Sequence, residues 1–422
     1  MVSNRSSEFK LIKAKRLIDG NGGSPLDRGA ILVQGSEIIS IGTEESVVAP
    51  EGADVQEFDY GDKTVLPGLV DCHVHLNGIG DGRIGNELTL LPDEVLTLQA
   101  ARNARTHLYS GVTTVRDCGA KNQTTFMLRK AIDMGITVGP RLVLAGRPMA
   151  IIGGHLSYFG IQATGVDECR ASVRQLLKEG ADYIKITATG GSTVTSFPMH
   201  PSFNVEELKA ICDEIHKFGR HAAAHCASTQ GMINVLDAGI DTIIHGIHQD
   251  SDGAYNYRQD VSERIAKQGV FVNPTLHGAV EHVKSIERKA ESDSLSDSDH
   301  KALDRFKVSH ETRLDHFARM RDDGVIMVCG SDSAWGHYTM GGFQYEIQDH
   351  VVGGMSPMEA IVSATSDSAK SCHIDDEVGS LEPGKQADIL VVDGDPSNDI
   401  KALWNVADVF LDGALIDRGN YI

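Results

Sequence analysis

Two histidines one residue apart, in Val70-Asp-Cys-His-Val-His-Leu, are the first residues in the chain whose types and spacing could do chemistry. Side chains alternate along a strand, so His73 and His75 share a face. Two imidazoles so placed can chelate a metal ion with little chain entropy left to lose, although HxH alone is a weak signal. Other ligand types end other β-rich runs. Lys185 stands in Tyr183-Ile-Lys-Ile-Thr, where a buried ammonium is expensive. It either pairs with a carboxylate or sits beside metal with a depressed pKa, able to react with CO2 and become an anionic carbamate. His225 ends His221-Ala-Ala-Ala-His, His245 ends Ile243-Ile-His, and Asp332 ends Val328-Cys-Gly-Ser-Asp. Any one of them could be a satisfied core or turn residue. Six ligand-capable residues at five strand ends are much harder to explain as packing.

The elements that must position them follow a repeating pattern. Eight apolar, β-branched runs recur at 69–76, 113–117, 141–145, 183–188, 221–226, 242–247, 270–276 and 325–331. Segments of helical period lie between them, among them 93–109, 166–179, 205–218 and 230–238. Such alternation is the pattern of an α/β fold, a (β/α)8 TIM barrel, in which the C-terminal strand ends carry the active site. A doubly wound sheet also uses βα repeats, but a count of eight favours the barrel. Both chain ends read differently, as short strands broken by Gly, Asp and Ser. The expected organisation is a barrel over 66–375 and a small β-sandwich domain built from 1–65 and 376–422. The charged stretch 287–300 (ERKAESDSLSDSDH) reads as a solvated loop, or as a flap near the barrel mouth.

Composition sets outer limits. The chain has 422 residues, and at about 150 residues per domain that suggests two or three domains, or one large barrel with an accessory one. A net charge of −20 argues against nucleic acid or an anionic membrane as partner. No run of 18 apolar residues and no signal-peptide pattern is visible. Seven scattered cysteines without a CxxC pair read as reduced thiols, hence a cytoplasmic protein.

The motif set resembles the amidohydrolase superfamily of metal-dependent hydrolases. HxH at 73–75, Lys185, His225, His245 and Asp332 stand in that family's order. Flanking signatures agree: Thr64-Val-Leu-Pro-Gly-Leu-Val-Asp before HxH, Ser110-Gly-Val-Thr-Thr-Val-Arg-Asp, and Val378-Gly-Ser-Leu-Glu-Pro-Gly-Lys-Gln-Ala-Asp-Ile-Leu near the end. Within the superfamily the chain looks closest to the imidazolonepropionase-related group, which includes dipeptidases of prolidase and Xaa-Lys/Arg type and amidases acting on foreign compounds. The resemblance implies two divalent metal ions, with zinc the expected metal. His73 and His75 would bind the more buried ion and His225 and His245 the more exposed one. Carboxylated Lys185, a carbamate made from CO2, would bridge both. Asp332 would ligate the first ion and act as proton acceptor. A water held between the ions, acidified towards neutral pH, would be the nucleophile on an amide C–N bond.

Two histidines are candidates for contact with the substrate. His155, in the glycine-flanked Ile151-Ile-Gly-Gly-His, matches a substrate-binding histidine of the related dipeptidases and would support the oxyanion. His248 departs from the dipeptidase pattern three residues after His245. For both, a locally bonded loop histidine is the alternative. Trp335, His337 and Tyr338 could wall the pocket or merely pack their loop. His107, His216, His282, His310, His316 and His350 fall in helical segments and are expected on helix surfaces.

The implied substrate is a small molecule: a dipeptide (Xaa-Pro or Xaa-Lys/Arg) or an N-acyl amino acid. The alternative is a foreign amide, carbamate or urea, including N-acyl-aromatic amino acid toxins. A cyclic-amide hydrolase of imidazolonepropionase type stands behind both, and so does a deaminase. Deaminases of this superfamily commonly place a glutamate three residues after the strand-five histidine, where this chain has Ser228. A non-catalytic relative is disfavoured because every ligand position is filled. Relatives commonly self-associate, so a homo-oligomer is expected.

Overall fold

The computed structural model describes residues 9–83 and 85–419. Seven of the eight expected runs form parallel strands: Leu69–Val74, Val112–Asp117, Arg141–Leu144, Ile184–Thr187, Ala222–His225, Thr242–Ile244 and Phe271–Asn273. They are short and buried along their length, as parallel strands covered by helices must be. Helices Asp93–Tyr109, Gly165–Glu179, Val205–His216 and Thr229–Ala238 stand where helical period places them. Two of these end at Gly180 and Gly239, each in the left-handed conformation that closes a helix at little cost to glycine.

The strands do not join into one closed ladder among the described residues. A three-stranded sheet holds the first three, and a six-stranded sheet holds the other four together with the short pairs Met149–Ala150 and Ile161–Gln162. The break falls after Leu144, where Gly146 is left-handed (φ 66°) and Pro148 has no N–H to donate. The eighth expected strand is also irregular. Residues 326–333 run between the seventh strand and the first, bridged at Val272 with Met327 and at Val74 with Ser333. Backbone bonds Val328 N to Val272 O (2.8 Å), Cys72 N to Cys329 O (3.2 Å) and Asp332 N to His73 O (2.7 Å) hold it there. The interior is shared all the same. One buried cluster takes Cys72, Val143, Tyr183, Ala223, Ile244 and Val328 from six of the runs, with Cys118 just past the end of another.

The chain ends meet in an eight-stranded sheet. Thr64–Pro67 pairs with Ile389–Val392, so residues more than three hundred positions apart share a ladder. By hydrogen bonding the strands are continuous as one sheet. The reason is Phe9–Leu17, whose nine residues pair with Leu26–Gln34 along one edge and, along the other, with Val55–Asp59 and then Thr64–Pro67. The sheet buries Ile12, Ile31, Val65, Ile389 and Phe410 in a common core.

The stretch 287–300 is mostly helical rather than a solvated loop. Helices Gly278–Ser292 and Asp297–Asp322 form a hairpin with only four residues between them. Ser296 and Asp299 make a reciprocal capping box, so the Ser/Asp richness marks a helix start. No helix among the described residues is long and apolar enough to cross a membrane. All seven cysteines are free and buried.

Arg141 ties the terminal sheet to the third strand. Its guanidinium lies 2.6 Å from Asp412 and 3.6 Å from Asp388. Burial raises the Asp388 carboxyl to about 7. A group whose folded pKa lies above its unfolded value favours the fold below the unfolded value, near 4, and loses that contribution as pH climbs through 7. Wild-type stability should therefore decline between pH 4 and pH 7 on account of this group, and Asp388→Asn should flatten the decline. Urea midpoints at pH 5 and pH 8 for both proteins measure it, and equal pH slopes would contradict the assignment.

Candidate metal centre

His73 and His75 reach the interior through a fault in their strand. Strict alternation would place them on the face of Asp71, which points outward to His107 on the helix Asp93–Tyr109 (2.9 Å). The pairing register with Val112–Asp117 shifts between Asp71 and Val74. A bulge of this kind re-aims side chains. Cys72 faces the interior below it, and His73 and His75 face the interior above it.

The two imidazoles then converge on Asp332. His73 Nε2 and His75 Nε2 each lie 3.3 Å from Asp332 Oδ1. These three residues form the compact metal-competent group among the described residues. His73 Nε2 is buried without a hydrogen-bond partner. Two imidazole lone pairs and a carboxylate oxygen around one point are satisfied by a cation, so the residues fit a divalent metal. Asp332 is left-handed (φ 59°), which turns its side chain off the strand line and over the histidines.

His245 and His225 flank this group. Ring centroids are 5.6 Å apart for His73 and His245, and 4.6 Å for His225 and His245. Each of the four histidines has one ring nitrogen against an oxygen: His73 Nδ1 on Asn273 Oδ1 (3.0 Å), His75 Nδ1 on Gly119 O (3.3 Å), His225 Nε2 on Gly190 O (2.9 Å) and His245 Nδ1 on Thr275 Oγ1 (2.7 Å). Asn273 cannot turn its amide the other way, because its Nδ2 donates to Gly330 O at 3.0 Å. An N–H spent on an outer oxygen leaves the other nitrogen's lone pair free to bind metal. Burial pushes His73 and His245 well below the usual histidine range, and burial together with Lys185 brings His225 down to about 4. Neutral imidazole is the form that ligates.

Lys185 is 2% exposed on the strand Ile184–Thr187, beside Ala223 of the next strand. No carboxylate among the described residues lies within ion-pair distance of it, so it is not the paired lysine that packing alone would require. Burial lowers its pKa, which raises the neutral, nucleophilic amine fraction.

His155 joins the site. It is 6% exposed, its ring centroid 4.5 Å from that of His225 and its Nδ1 3.1 Å from Thr193 Oγ1. Trp335 lies against His75 at 5.1 Å and, with Leu88, Leu96 and Phe159, walls a small apolar recess beside it. His248 does not join. It is fully buried, accepts the Arg258 N–H at Nδ1 (3.1 Å), meets the Ser262 hydroxyl at Nε2 (3.3 Å) and packs on Tyr257. Both nitrogens are occupied locally, so the expected contact with substrate is not made. Tyr338 is buried with its hydroxyl on Gly342 O, and packs its loop.

Several helix histidines are not on surfaces either. His107, His316 and His350 are buried, and His107 is bonded to Asp71 and to the Gly341 N–H. Single-residue reading on a helix misses a partner that arrives from a distant strand. The outer oxygens of Asn273, Thr275 and Gly190 were missed for the same reason, although Asn273 and Thr275 do stand at the end of a β-rich run.

Comparison with known proteins agrees with this geometry. The amidohydrolase family model matches residues 64–416. An ochratoxinase of Aspergillus niger is 26% identical over 434 residues, covering 95% of this chain and 84% of its own. An imidazolonepropionase of Paracoccus denitrificans is 22% identical, covering 87% of this chain and 88% of its own. The crystal structure of a Xaa-Pro dipeptidase with methionine in its active site is 30% identical, with a TM-score of 0.82 over 97% of this chain and 100% of that one. Fold and site together define a hydrolase of amide bonds. The chain belongs to the amidohydrolase family.

Replacing Lys185 tests the centre directly. Lys185→Ala should lower the metal content of the purified protein by elemental analysis, with Asp332 and the histidines left in place. Undiminished content would remove Lys185 from the ligand set.

Proposed function

We propose that this chain is a binuclear metal-dependent hydrolase of dipeptides or N-acyl amino acids. The observation that carries the reading is the convergence of His73, His75 and Asp332 on one point, with His225, His245 and Lys185 alongside. Zinc suits this donor set, and CO2 on Lys185 would supply an anionic bridge. When bound by these residues, a divalent ion would supply Lewis acidity toward water and an amide carbonyl.

The protein's own groups do the rest. Asp332 takes the proton of the attacking water and returns it to the leaving amine nitrogen. His155 supports the developing oxyanion. Thr193 Oγ1 already accepts the Leu156 N–H at 3.0 Å, and its own proton can go to His155 Nδ1. That arrangement leaves His155 Nε2–H as a donor. Trp335 closes one wall and excludes water beside His75.

The likeness to a Xaa-Pro dipeptidase at 30% identity favours a dipeptide. A second reading, a foreign amide, carbamate or urea (N-acyl aromatic amino acid toxins among them), draws on the likeness to an ochratoxinase and on the aromatic wall of Trp335 and Phe159. A barrel at 66–375, a small β domain at 1–65 and 376–422, a homo-oligomeric state and a cytoplasmic location belong to the same reading.

Hydrolysis of Xaa-Pro, Xaa-Lys/Arg, N-acyl amino acids and aryl amides by the zinc-loaded protein separates the two readings. Turnover of dipeptides at least tenfold above aryl amides is the expected result, and the reverse order favours the second. Asp332→Asn should cost about 100-fold or more in kcat, the scale of lost general acid–base catalysis. Wild-type turnover in that variant would exclude Asp332 as the proton carrier.

A further inference from the structure

The helical hairpin of residues 278–322 lies outside the ring of strands, yet one of its side chains reaches the metal centre's supports. Arg313, on Asp297–Asp322, donates through Nη2 to Pro274 O, to Thr275 O at 3.0 Å and to Thr275 Oγ1 at 3.1 Å. The same Thr275 Oγ1 lies 2.7 Å from His245 Nδ1. Arg313, Thr275 and His245 thus form one continuous chain of contacts, from a helix to a ligand-competent imidazole.

Thr275 needs holding. It is a β-branched residue, 4% exposed, at φ +49°. That conformation crowds its Cβ against the backbone. His245 is left-handed as well, at φ +70°. Two adjoining non-glycine residues of this kind persist only where the surroundings over-determine them. Arg313 does so by engaging both carbonyls of the Pro274-Thr275 turn and the threonine hydroxyl. Three acceptors gathered on one guanidinium nitrogen fix the place of the Thr275 backbone and of its Oγ1.

We infer that Arg313 is a positioning residue for the metal centre: it holds Thr275 in its strained conformation, and Thr275 in turn fixes the ring plane of His245. The helical hairpin is then part of the metal-binding apparatus through one side chain. The inference rests on the reading of His245 as a metal ligand.

Metal retention tests it without reference to substrate. The zinc-loaded protein is titrated with a chelator and bound zinc is read by elemental analysis. The cobalt-loaded protein gives a visible spectrum that reports ligand geometry. Thr275→Val keeps shape and removes only the hydroxyl; Arg313→Met removes the guanidinium. Each should weaken the affinity of one metal equivalent about 10- to 100-fold, the range seen when outer partners of metal-bound histidines are lost. Each should also shift the cobalt spectrum. Thr275→Ser should restore wild-type affinity, because the hydroxyl returns. Should Arg313→Met fail to fold, Arg313→Lys, which keeps the charge but not the guanidinium geometry, takes its place. Wild-type affinity and spectrum in the folded Arg313 variant would overturn its positioning role. Wild-type affinity and spectrum in Thr275→Val, with zinc loss in His245→Ala, would overturn the positioning role and leave the centre intact. Full zinc retention in His245→Ala would overturn the ligand reading beneath it.

Discussion

Neutral imidazole nitrogens and a carboxylate, gathered in a largely buried space, would repel or strand one another unless each were held by something further out. Four histidines therefore spend one ring nitrogen on an oxygen: Asn273, Gly119, Gly190 or Thr275. That expenditure orients the rings and leaves the remaining lone pairs for a cation. Burial keeps His73, His225 and His245 neutral, and leaves Lys185 a buried amine without a carboxylate partner. The rest of the molecule can be understood as what is required to keep such an arrangement in place.

Several local irregularities serve it. The register shift between Asp71 and Val74 turns His73 and His75 inward. Left-handed backbone at His245, Thr275 and Asp332 turns those side chains off their strand lines. None of these conformations is favourable by itself. Each is locked by neighbours: Asp332 N on His73 O, His245 N on Asn273 O, and the Asp71 carboxylate between the Ser331 N–H, the Ser331 hydroxyl and His107. The short strands carrying the ligands follow from the same priority. Regular pairing stops where the side chains must begin to converge.

The surrounding helices are more than a shell. His107 reaches in from one to anchor Asp71, and Arg313 from another to anchor Thr275. Both contacts link a helix outside the strands to a residue within two positions of a ligand, or bonded to one. In family terms the chain is an amidohydrolase. In physical terms it is a buried polar cluster sustained by successive layers of hydrogen bonds.

Much of this was legible in sequence. The eight runs, the helices between them, the β-rich ends, and the six ligand candidates at strand ends can all be read from residue type and spacing. Alternation, helical period and the cost of a buried lysine are local rules, and strand ends meet at one mouth in any α/β ring. What only the tertiary structure decided are the relations between distant segments. Periodicity treats 287–300 as a loop because capping and solvation use the same residues. It treats His107, His316 and His350 as surface because their partners lie on other elements, and it offers His248 to the substrate although Ser262 and the Arg258 N–H claim both its nitrogens. Nor can it foresee that a bulge inverts the face of His73 and His75, or that an arginine 38 positions from Thr275 fixes that residue's hydroxyl. Sequence spacing determines which groups are available. The low-dielectric interior, where each polar atom must find a partner, decides which of them meet.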